Sequence, residues 1–252
     1  MKILLSPAKS LDFENAKLTP DSAPPIFIEK SEYLVSKLKK LSAKQIKKLM
    51  NVSKKIFKFN FEWFYNWQFP GDENAKPAVF DFTSETYRGL DANSFSEKEI
   101  KNCNDKLRIL SGLYGLLRPS DLVMPYRLEM GTSFKVTPKI TNLYKYWGAS
   151  ITDALNAEMK DEEVLVNLAS NEYSKAVDLK NIKGKVVTCS FKEFRNGEYK
   201  AIMTFAKRAR GTMTRFIIKN NLEEIEDLKA FDMDNYTFND SMSTENEFVF
   251  VR

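Results

Sequence analysis

The sequence predicts a mixed α/β fold in a single domain, with a twisted mixed sheet that contains a β-hairpin and is flanked by helices. The chain has 252 residues, of which 43% are hydrophobic, and this is enough for one large core. Runs with helical spacing alternate with strand-like runs, without an internal repeat. Two strand-like runs also flank Asn196-Gly197, a pair that is typical of a type I′ hairpin turn. We therefore treat residues 1–252 as one domain.

The N-terminal part of the chain predicts one short strand followed by two helices. Residues 2–5 (KILL) are typical of a strand, and the polar, proline-containing stretch that follows is typical of a long loop. Apolar residues recur at helical spacing over residues 34–50. Ser42 and Gln45 match the pattern of a capping box, which predicts a tight turn between two short, lysine-rich helices.

The next part of the chain is rich in aromatic residues. The cluster over residues 57–67 is interpreted as core packing, with base stacking as the alternative. AVFDF at 78–82 is typical of a strand. Ser96 and Glu99 match a second capping box, and this predicts a helix that runs through Cys103.

The second half of the chain predicts three more strands and a long helix. Residues 107–112 and 164–170 are typical of strands, the second of them buried. Residues 186–194 and 198–205 form the two arms of the predicted hairpin. Residues 206–219 place their apolar side chains on one stripe of a helix.

The composition excludes several kinds of catalytic site. The chain has no His, so it cannot hold a Ser-His-Asp triad, a Cys-His pair or a histidine-ligated zinc ion. Its two Cys, Cys103 and Cys189, are far apart and are interpreted as small buried hydrophobes. Any proton chemistry must use carboxylates, Lys, Tyr, Cys or a cofactor, and we expect no cofactor and no metal site.

The sequence also predicts where the protein resides. The N-terminal apolar run is too short for a signal peptide, and no later run reaches the roughly 18 residues of a membrane span. We therefore expect a soluble, cytoplasmic protein that does not contact a membrane.

Charge is distributed in blocks along the chain. Residues 30–60 contain ten Lys and one acid, and residues 200–219 contain six basic residues and no acid. Residues 221–252 contain nine acids and two basic residues. Positive blocks attract polyanions such as nucleic acid, although a solvated lysine-rich helix face is the alternative interpretation.

Arginine is concentrated in two segments. Six of the nine Arg lie in residues 107–131 and 207–216, and the planar guanidinium suits carboxylate, phosphate or a base edge. The spacing is compatible either with one anion-binding site or with arginines that only pair with nearby acids. Neither GxGxxG nor the P-loop pattern is present.

Four motifs resemble one known family. They are ILLSPAKSL at 3–11, LSGLYGLLRPSDLVMPYRLEMG at 110–131, VNLASNEY at 166–173 and AKRARGTMTRFIIKN at 206–220. These motifs are similar to those of the YaaA family of bacterial peroxide-stress proteins. The resemblance implies a family-specific α/β fold with a positively charged cleft and a helix-hairpin-helix element. It also implies an oxidative stress response to hydrogen peroxide, binding of double-stranded DNA, and a role in iron homeostasis that keeps intracellular free iron low.

The polar motif positions of the family can be carried over to this sequence. The first motif departs from the family pattern at Ser10, where a threonine is expected, but the hydroxyl is kept. The expected binding cleft consists of Ser6, Lys9, Arg118, Asp121, Tyr126, Arg127, Glu129, Ser170, Glu172, Tyr173, Lys207 and Arg210, with Gly211 beside them.

The helix-hairpin-helix could lie in either of two segments. Such hairpins usually carry Gly between their helices, which SGLYG at 111–115 has and LKKLSAKQIKKLM at 38–50 lacks. We favour the lysine-rich pair as the surface that contacts the DNA backbone, with Lys44, Lys47 and Lys48 as its contacts.

Three functions are compatible with these residues. The leading hypothesis is a DNA-binding stress-protection protein, expected to be a monomer. The alternative is an enzyme that acts on a nucleotide-like or other small anionic ligand in the same cleft, with Lys9, Glu129 and Glu172 as catalytic candidates. There, a neighbouring Arg127 or Arg210 would lower the pKa of Lys9. Direct iron binding is the weakest hypothesis, because without His it would need carboxylate ligands alone.

Two geometric expectations follow for the carried-over residues. The cleft residues should line one concave surface although they come from four distant segments. Arg210 lies at the border of the apolar stripe of its helix, so it should point into the cleft and pair with Glu129 or Glu172, or face an anionic ligand. Arg208 should instead be exposed and tolerant of substitution.

Overall fold

A computed structural model of the chain describes residues 1–12, 21–50, 61–69 and 75–252. Within these ranges the strands are β1 (Lys2–Leu5), β2 (Ser10–Leu11), β3 (Lys76–Pro77), β4 (Phe82–Thr83), β5 (Leu107–Ser111), β6 (Gly115–Leu117), β7 (Leu122–Val123), β8 (Leu165–Asn167), β9 (Val186–Arg195), β10 (Glu198–Lys200), β11 (Thr237–Phe238) and β12 (Glu247–Val251). The predicted aromatic cluster at 57–67 lies partly outside the described residues, and so does part of the predicted proline-containing loop.

The helices surround these strands. They are α1 (Ile28–Leu38), α2 (Ala43–Met50), α3 (Ala78–Asp81), α4 (Glu85–Leu90), α5 (Glu97–Lys106), α6 (Leu143–Trp147), α7 (Ser150–Glu158), α8 (Asn171–Ser174) and α9 (Met203–Lys219). Residues 61–66 are also helical. Short 3₁₀ helices occupy Ala92–Ser94, Leu179–Asn181, Glu226–Ala230, Met233–Asn235 and Asp240–Met242.

The main sheet has parallel strands at its centre and antiparallel strands at its margins. In the described residues it runs β11-β12-β9-β8-β1-β5-β6, and β10 also pairs with β9. The five strands from β12 to β5 are parallel, while β11, β6 and β10 join as antiparallel partners. Strand β1 lies between β5 and β8 and is almost fully buried, as expected for a parallel strand covered on both faces. The mixed α/β fold with a mixed sheet is therefore confirmed.

Several local predictions are confirmed because short-range chemistry determines them. Asn196 and Gly197 both have positive φ (52° and 85°), as a type I′ turn requires, and they join β9 to β10. Ser96 and Glu99 form the predicted capping box at the start of α5. The Ser42 amide likewise donates to the side chain of Gln45 over 2.8 Å, which fixes the start of α2.

The strand predicted at 78–82 is wrong for most of its length. Residues Ala78–Asp81 form the single helical turn α3, and only Phe82 continues into a strand. The amides of Ala78 and Val79 donate to the carbonyls of Asp121 and Pro119, so a neighbouring loop satisfies the first two donors of the turn. Every residue of this turn is buried, and such an apolar run cannot distinguish a strand from a buried helical turn.

Both cysteines are buried and free, as predicted. Burial raises the pKa of the Cys103 thiol and of the Cys189 thiol to about 12, because an apolar environment disfavours the thiolate. Neither thiol is therefore a nucleophile in this fold. No helix in the described part of the chain is long and apolar enough to cross a membrane.

Candidate functional site: the carboxyl edge of the parallel sheet

Residues of three of the motifs lie at one edge of the sheet, where strands β1, β5 and β8 end. Ser6 follows β1, Ser111 ends β5, and Ser170 lies just beyond β8. Because these three strands are parallel neighbours, their carboxyl ends lie side by side. This edge is the usual place for a site in a sheet of this kind, and most of the predicted cleft residues lie here.

A pair of serines joins the ends of β1 and β8. The Ser170 amide donates to Ser6 Oγ over 2.9 Å, and Ser6 Oγ donates to Ser170 Oγ over 3.3 Å. The hydroxyl of Tyr87, on α4, donates to the Ser6 carbonyl over 3.1 Å. Two of the motif residues are thus brought together by direct contact, and α4 is attached to the same edge.

Lys9, Arg127 and Glu129 form a second group, called here the Glu129 cluster. Lys9 Nζ lies 2.6 Å from Glu129 Oε2, and Arg127 Nη2 lies 3.0 Å from Glu129 Oε1. One carboxylate therefore binds two cations from segments about 120 positions apart in sequence. Arg127 is the more buried of the two cations (17% exposed), while Lys9 is half exposed (54%).

Glu172 contacts the same loop from α8. Its Oε1 accepts a 2.9 Å hydrogen bond from the Gly131 amide, two residues beyond Glu129. A Cβ on residue 131 would lie 3.1 Å from this Glu172 oxygen, so a glycine allows the close approach. Tyr144 also donates to the Glu172 carbonyl over 2.8 Å, which fixes α8 against α6.

The two motif tyrosines are structural rather than available to a ligand. Tyr126 shares a 2.7 Å hydrogen bond with Ser111 Oγ and packs edge-on against Tyr114. Tyr126 and Tyr173 are both buried, and this burial raises the pKa of each phenol well above its usual range. They anchor the loop of Glu129 and helix α8 beneath the site.

Arg118 and Asp121 lie at the opposite edge of the sheet, contrary to the expectation of a single surface. Strand β6 runs antiparallel to β5, so Arg118 emerges beside the amino end of β5. There Arg118 Nη2 lies 3.6 Å from Glu158, which also receives a 2.5 Å hydrogen bond from buried Arg108. The segment 110–131 folds back on itself, so its middle, with Arg118 and Asp121, lies at the far edge while its two ends meet at the carboxyl edge.

Asp121 belongs to this opposite edge as a buried structural group. Its Oδ2 accepts a 2.8 Å hydrogen bond from the Arg118 amide. Burial raises the pKa of Asp121 to about 7, although the hydrogen bond and the charges of Arg118 and Arg108 act in the other direction. Sequence spacing could not reveal this, because it does not indicate which side of a hairpin a residue occupies.

Lys207 and Arg210 lie in the first half of α9. The helix begins just after the β9–β10 hairpin, which extends beyond this edge. Gly211 packs directly on α4, because a Cβ on residue 211 would lie only 1.8 Å from the Thr86 carbonyl oxygen. The expected pairing of Arg210 is absent: Glu129 and Glu172 contact other groups, and Arg210 Nε is buried without a hydrogen-bond partner.

Arg208 is exposed, as predicted, with 52% of its side chain accessible to solvent. It makes two long ion pairs, 3.9 Å to Glu85 and 3.8 Å to Asp234. Exposed pairs of this kind contribute little to stability.

A cleft of about 830 Å³ opens beside the Glu129 cluster. One wall is α2 with the turn before it, and the other is the loop that follows Glu129. The lining residues are Leu41, Gln45, Lys48, Leu49, Met50, Glu129, Gly131, Thr132, Ser133, Phe134, Lys135 and Glu172. Sequence reasoning missed Gln45 and residues 132–135, since nothing in their spacing distinguishes them from an ordinary polar loop.

The formal charges that line the cleft balance. Lys48 and Lys135 are matched by Glu129 and Glu172, so the lining itself is not strongly positive. Further positive charge lies on the exposed surface of α2, where Lys44 and Lys47 are exposed beside Lys48. None of these three forms an ion pair with an acid in the described ranges.

The lysine-rich segment has the predicted helix–turn–helix form. Helix α1 ends at Leu38, and α2 begins at Ala43. The glycine-containing alternative is a β-hairpin instead: Ser111 pairs with Gly115, whose φ is +71°. A helix-hairpin-helix therefore cannot lie at 111–115. In the described residues no group of three or more Cys, Asp or Glu could hold a metal ion.

Comparison with known proteins supports the resemblance of the motifs. A family model described as "Peroxide stress protein YaaA" matches residues 1–242. The chain belongs to the YaaA family. A UPF0246 protein from Saccharophagus degradans is 47% identical, and the match covers 100% of this chain and 99% of the relative. UPF0246 proteins from Aliivibrio fischeri strain MJ11 and Shewanella baltica strain OS185 are 48% and 46% identical, again over 100% of this chain. This YaaA-family chain is thus matched along its whole length.

Proposed function

We propose that this peroxide-stress protein binds double-stranded DNA through the exposed face of α2. The observation that carries the proposal is the row formed by Lys44, Lys47 and Lys48. These side chains are exposed and make no ion pair with a described acid, so their charge is available to a polyanion. The seven other lysines of residues 30–60 add to the positive field of the same segment.

The local structure supports contact with the phosphate backbone. Ile46 is buried, Leu49 and Met50 pack against the core, and Gln45 caps the helix, so α2 presents the lysines from a fixed position. Lysine is a flexible point charge that suits phosphate but does not read base edges. We therefore infer weak sequence preference and an affinity that falls steeply as salt increases.

A charge-reversal variant tests the proposal. Replacing Lys44, Lys47 and Lys48 together by Glu should weaken binding of double-stranded DNA at least tenfold. The DNA probe carries 5′-hydroxyl ends, so that only its backbone phosphates are available. The triple replacement should also make the slope of log K against log salt shallower by about three units, because each lost phosphate contact reduces the magnitude of that slope by about 0.9. Fluorescence anisotropy over a range of salt concentrations measures both quantities.

The matched control reverses three exposed lysines elsewhere. Lys98, Lys101 and Lys180 lie on other elements, and their replacement by Glu changes the net charge by the same amount. If DNA binds specifically to the α2 lysines, this control should lose much less DNA affinity than the α2 variant. Equal losses in both triple variants would show that only net charge matters, and unchanged affinity in the α2 variant would remove the proposal.

We also propose that the protein limits free iron and oxidative damage during peroxide stress. Membership of a peroxide-stress family supports this role. The test compares cells that lack the protein with complemented cells after exposure to hydrogen peroxide. Electron paramagnetic resonance of unincorporated iron should show a higher signal without the protein, and complementation with the α2 variant determines whether DNA binding contributes. Equal iron signals with and without the protein would contradict the role.

A further inference from the structure

Arg210 combines two properties that no other arginine in the described chain combines. Its Nε is buried, and that atom forms no hydrogen bond. Seven arginines have an acidic partner, namely Arg88, Arg108, Arg118, Arg127, Arg208, Arg215 and Arg252. Arg195 has no acidic partner among the described residues but is exposed to water. Because Arg210 is partly buried and its Nε has no partner, its charge is poorly solvated, so an anion at this position would be favoured.

Helical geometry places Arg210 in the corner between α4 and the sheet. Gly211 faces α4, where it meets the Thr86 carbonyl. The buried residues Ala206, Met213 and Ile217 face the sheet. At 100° per residue, Arg210 lies between these two stripes. Its side chain therefore points toward the space between α4 and the sheet rather than directly into solvent.

This corner is next to the paired serines. Tyr87 follows Thr86 on α4, and its hydroxyl reaches the Ser6 carbonyl over 3.1 Å. The Tyr87 side chain thus connects α4, next to its contact with α9, to the end of β1. Arg210 lies beside that contact, so its guanidinium belongs to the carboxyl edge of the sheet.

Lys207 supplies a second uncommitted cation one turn earlier. Helix α9 runs away from the carboxyl edge, since the residues after it contact Lys106 and the amino group of Met1 at the other edge. Lys207 therefore lies closer to the site than Arg210 does. It is half-buried and makes no ion pair with the described acids, and α9 itself contains no acidic residue. Two neighbouring positive charges remain without a counter-charge.

We propose that Arg210 and Lys207 bind a phosphate monoester at the carboxyl edge of the sheet. A phosphate monoester carries a charge of about −1.5 to −2 at pH 7, which matches the two cations. A guanidinium binds phosphate through two parallel hydrogen bonds. The proposed phosphate is terminal, because Arg210 is only partly exposed, in the corner beside α4, where a monoester fits better than the backbone of an intact duplex. Its source is either a free mononucleotide or the 5′-phosphate at a DNA end.

The test uses AMP and DNA ends as probes. Calorimetric titration with AMP should show saturable binding to the unmodified protein, and adenosine should not bind. Arg210→Gln and Lys207→Gln should each weaken AMP binding at least tenfold, whereas Arg195→Gln, which removes an exposed arginine, should bind like the unmodified protein. A duplex with 5′-phosphates, compared with its 5′-hydroxyl counterpart, then separates a DNA end from a free nucleotide.

Thermal unfolding distinguishes a ligand site from a structural role. Without ligand, Arg210→Gln should unfold at the same or a higher temperature, because the substitution removes a partly buried charge that has no acidic partner among the described residues. AMP should raise the unfolding temperature of the unmodified protein but not of this variant. Undiminished AMP binding by Arg210→Gln would overturn the proposal. So would a protein that neither binds AMP nor prefers 5′-phosphorylated ends. Binding of the 5′-hydroxyl duplex through α2 is a separate property and can succeed or fail independently.

Discussion

The buried carboxyl group of Asp121 predicts a specific dependence of stability on pH. Its pKa is raised from 3.8 to about 7 by burial, so the neutral acid is favoured in the folded protein. A group whose pKa is raised on folding stabilises the protein at low pH, and this contribution is lost as the pH rises through 7. With these two pKa values, Asp121 lowers the free energy of unfolding by about 2.5 kcal/mol between pH 5 and pH 8.

The substitution Asp121→Asn isolates this contribution. The amide oxygen of Asn can still accept the hydrogen bond from the Arg118 amide, but the residue does not titrate. Urea unfolding at pH 5 and pH 8 should therefore show a loss of stability about 2.5 kcal/mol larger in the unmodified protein than in the variant. Asp227, which is exposed, provides the control: Asp227→Asn should follow the unmodified protein.

The same pH dependence in Asp121→Asn and in the unmodified protein would refute the reasoning. The pKa of buried Asp81 is also raised to about 7 by burial, although Lys76 acts in the other direction. Asp81→Asn should therefore give a second, separate reduction of the pH dependence. Retention of the full effect in both variants would mean that both carboxylates are ionised in the folded protein at neutral pH.

Two further predictions concern the elements that hold the site. Gly211→Ala gains about 1 kcal/mol of helix propensity, but its Cβ would lie 1.8 Å from the Thr86 carbonyl oxygen. The new methyl group should force α4 and α9 apart, and this cost should outweigh the gain, so that the free energy of unfolding in urea falls by about 2 kcal/mol. A variant as stable as the unmodified protein would contradict the close packing. Ser96→Ala removes the cap of α5 and should cost about 1 kcal/mol, while Ser241→Ala, at an exposed position, should cost less than half of that. Equal values for the two serine variants would show that the cap contributes nothing.

The features that the sequence predicted well are those determined by near neighbours. The turn at Asn196 and the cap at Ser96 depend on residues three or fewer positions apart. The four motifs also led to the correct family, because a 22-residue match is specific even without any knowledge of geometry. Parallel pairing of β1, β5 and β8 then brings Ser6, Lys9 and Glu129 to one edge.

The features that the sequence could not predict depend on packing between distant segments. The buried turn Ala78–Asp81 has the composition of a strand, and only the carbonyls of residues 119 and 121 make it helical. Arg118 and Arg127 lie nine positions apart, yet the hairpin between β5 and β6 sends Arg118 to the far edge. The sequence predicts an ion pair between Arg210 and a carboxylate such as Glu129, but in the structure Glu129 pairs with Lys9 and Arg127 instead.

The central place of β1 determines when the chain can complete its sheet. This strand precedes the other strands of the sheet in the sequence, but its two neighbours begin only at Leu107 and Leu165. The parallel partner of β9 follows still later, at Glu247–Val251. A nascent chain or a fragment that stops before residue 165 therefore leaves one side of an apolar strand without a partner. Such an open edge can pair with other chains, so shortened forms that lack β8 or β12 should aggregate.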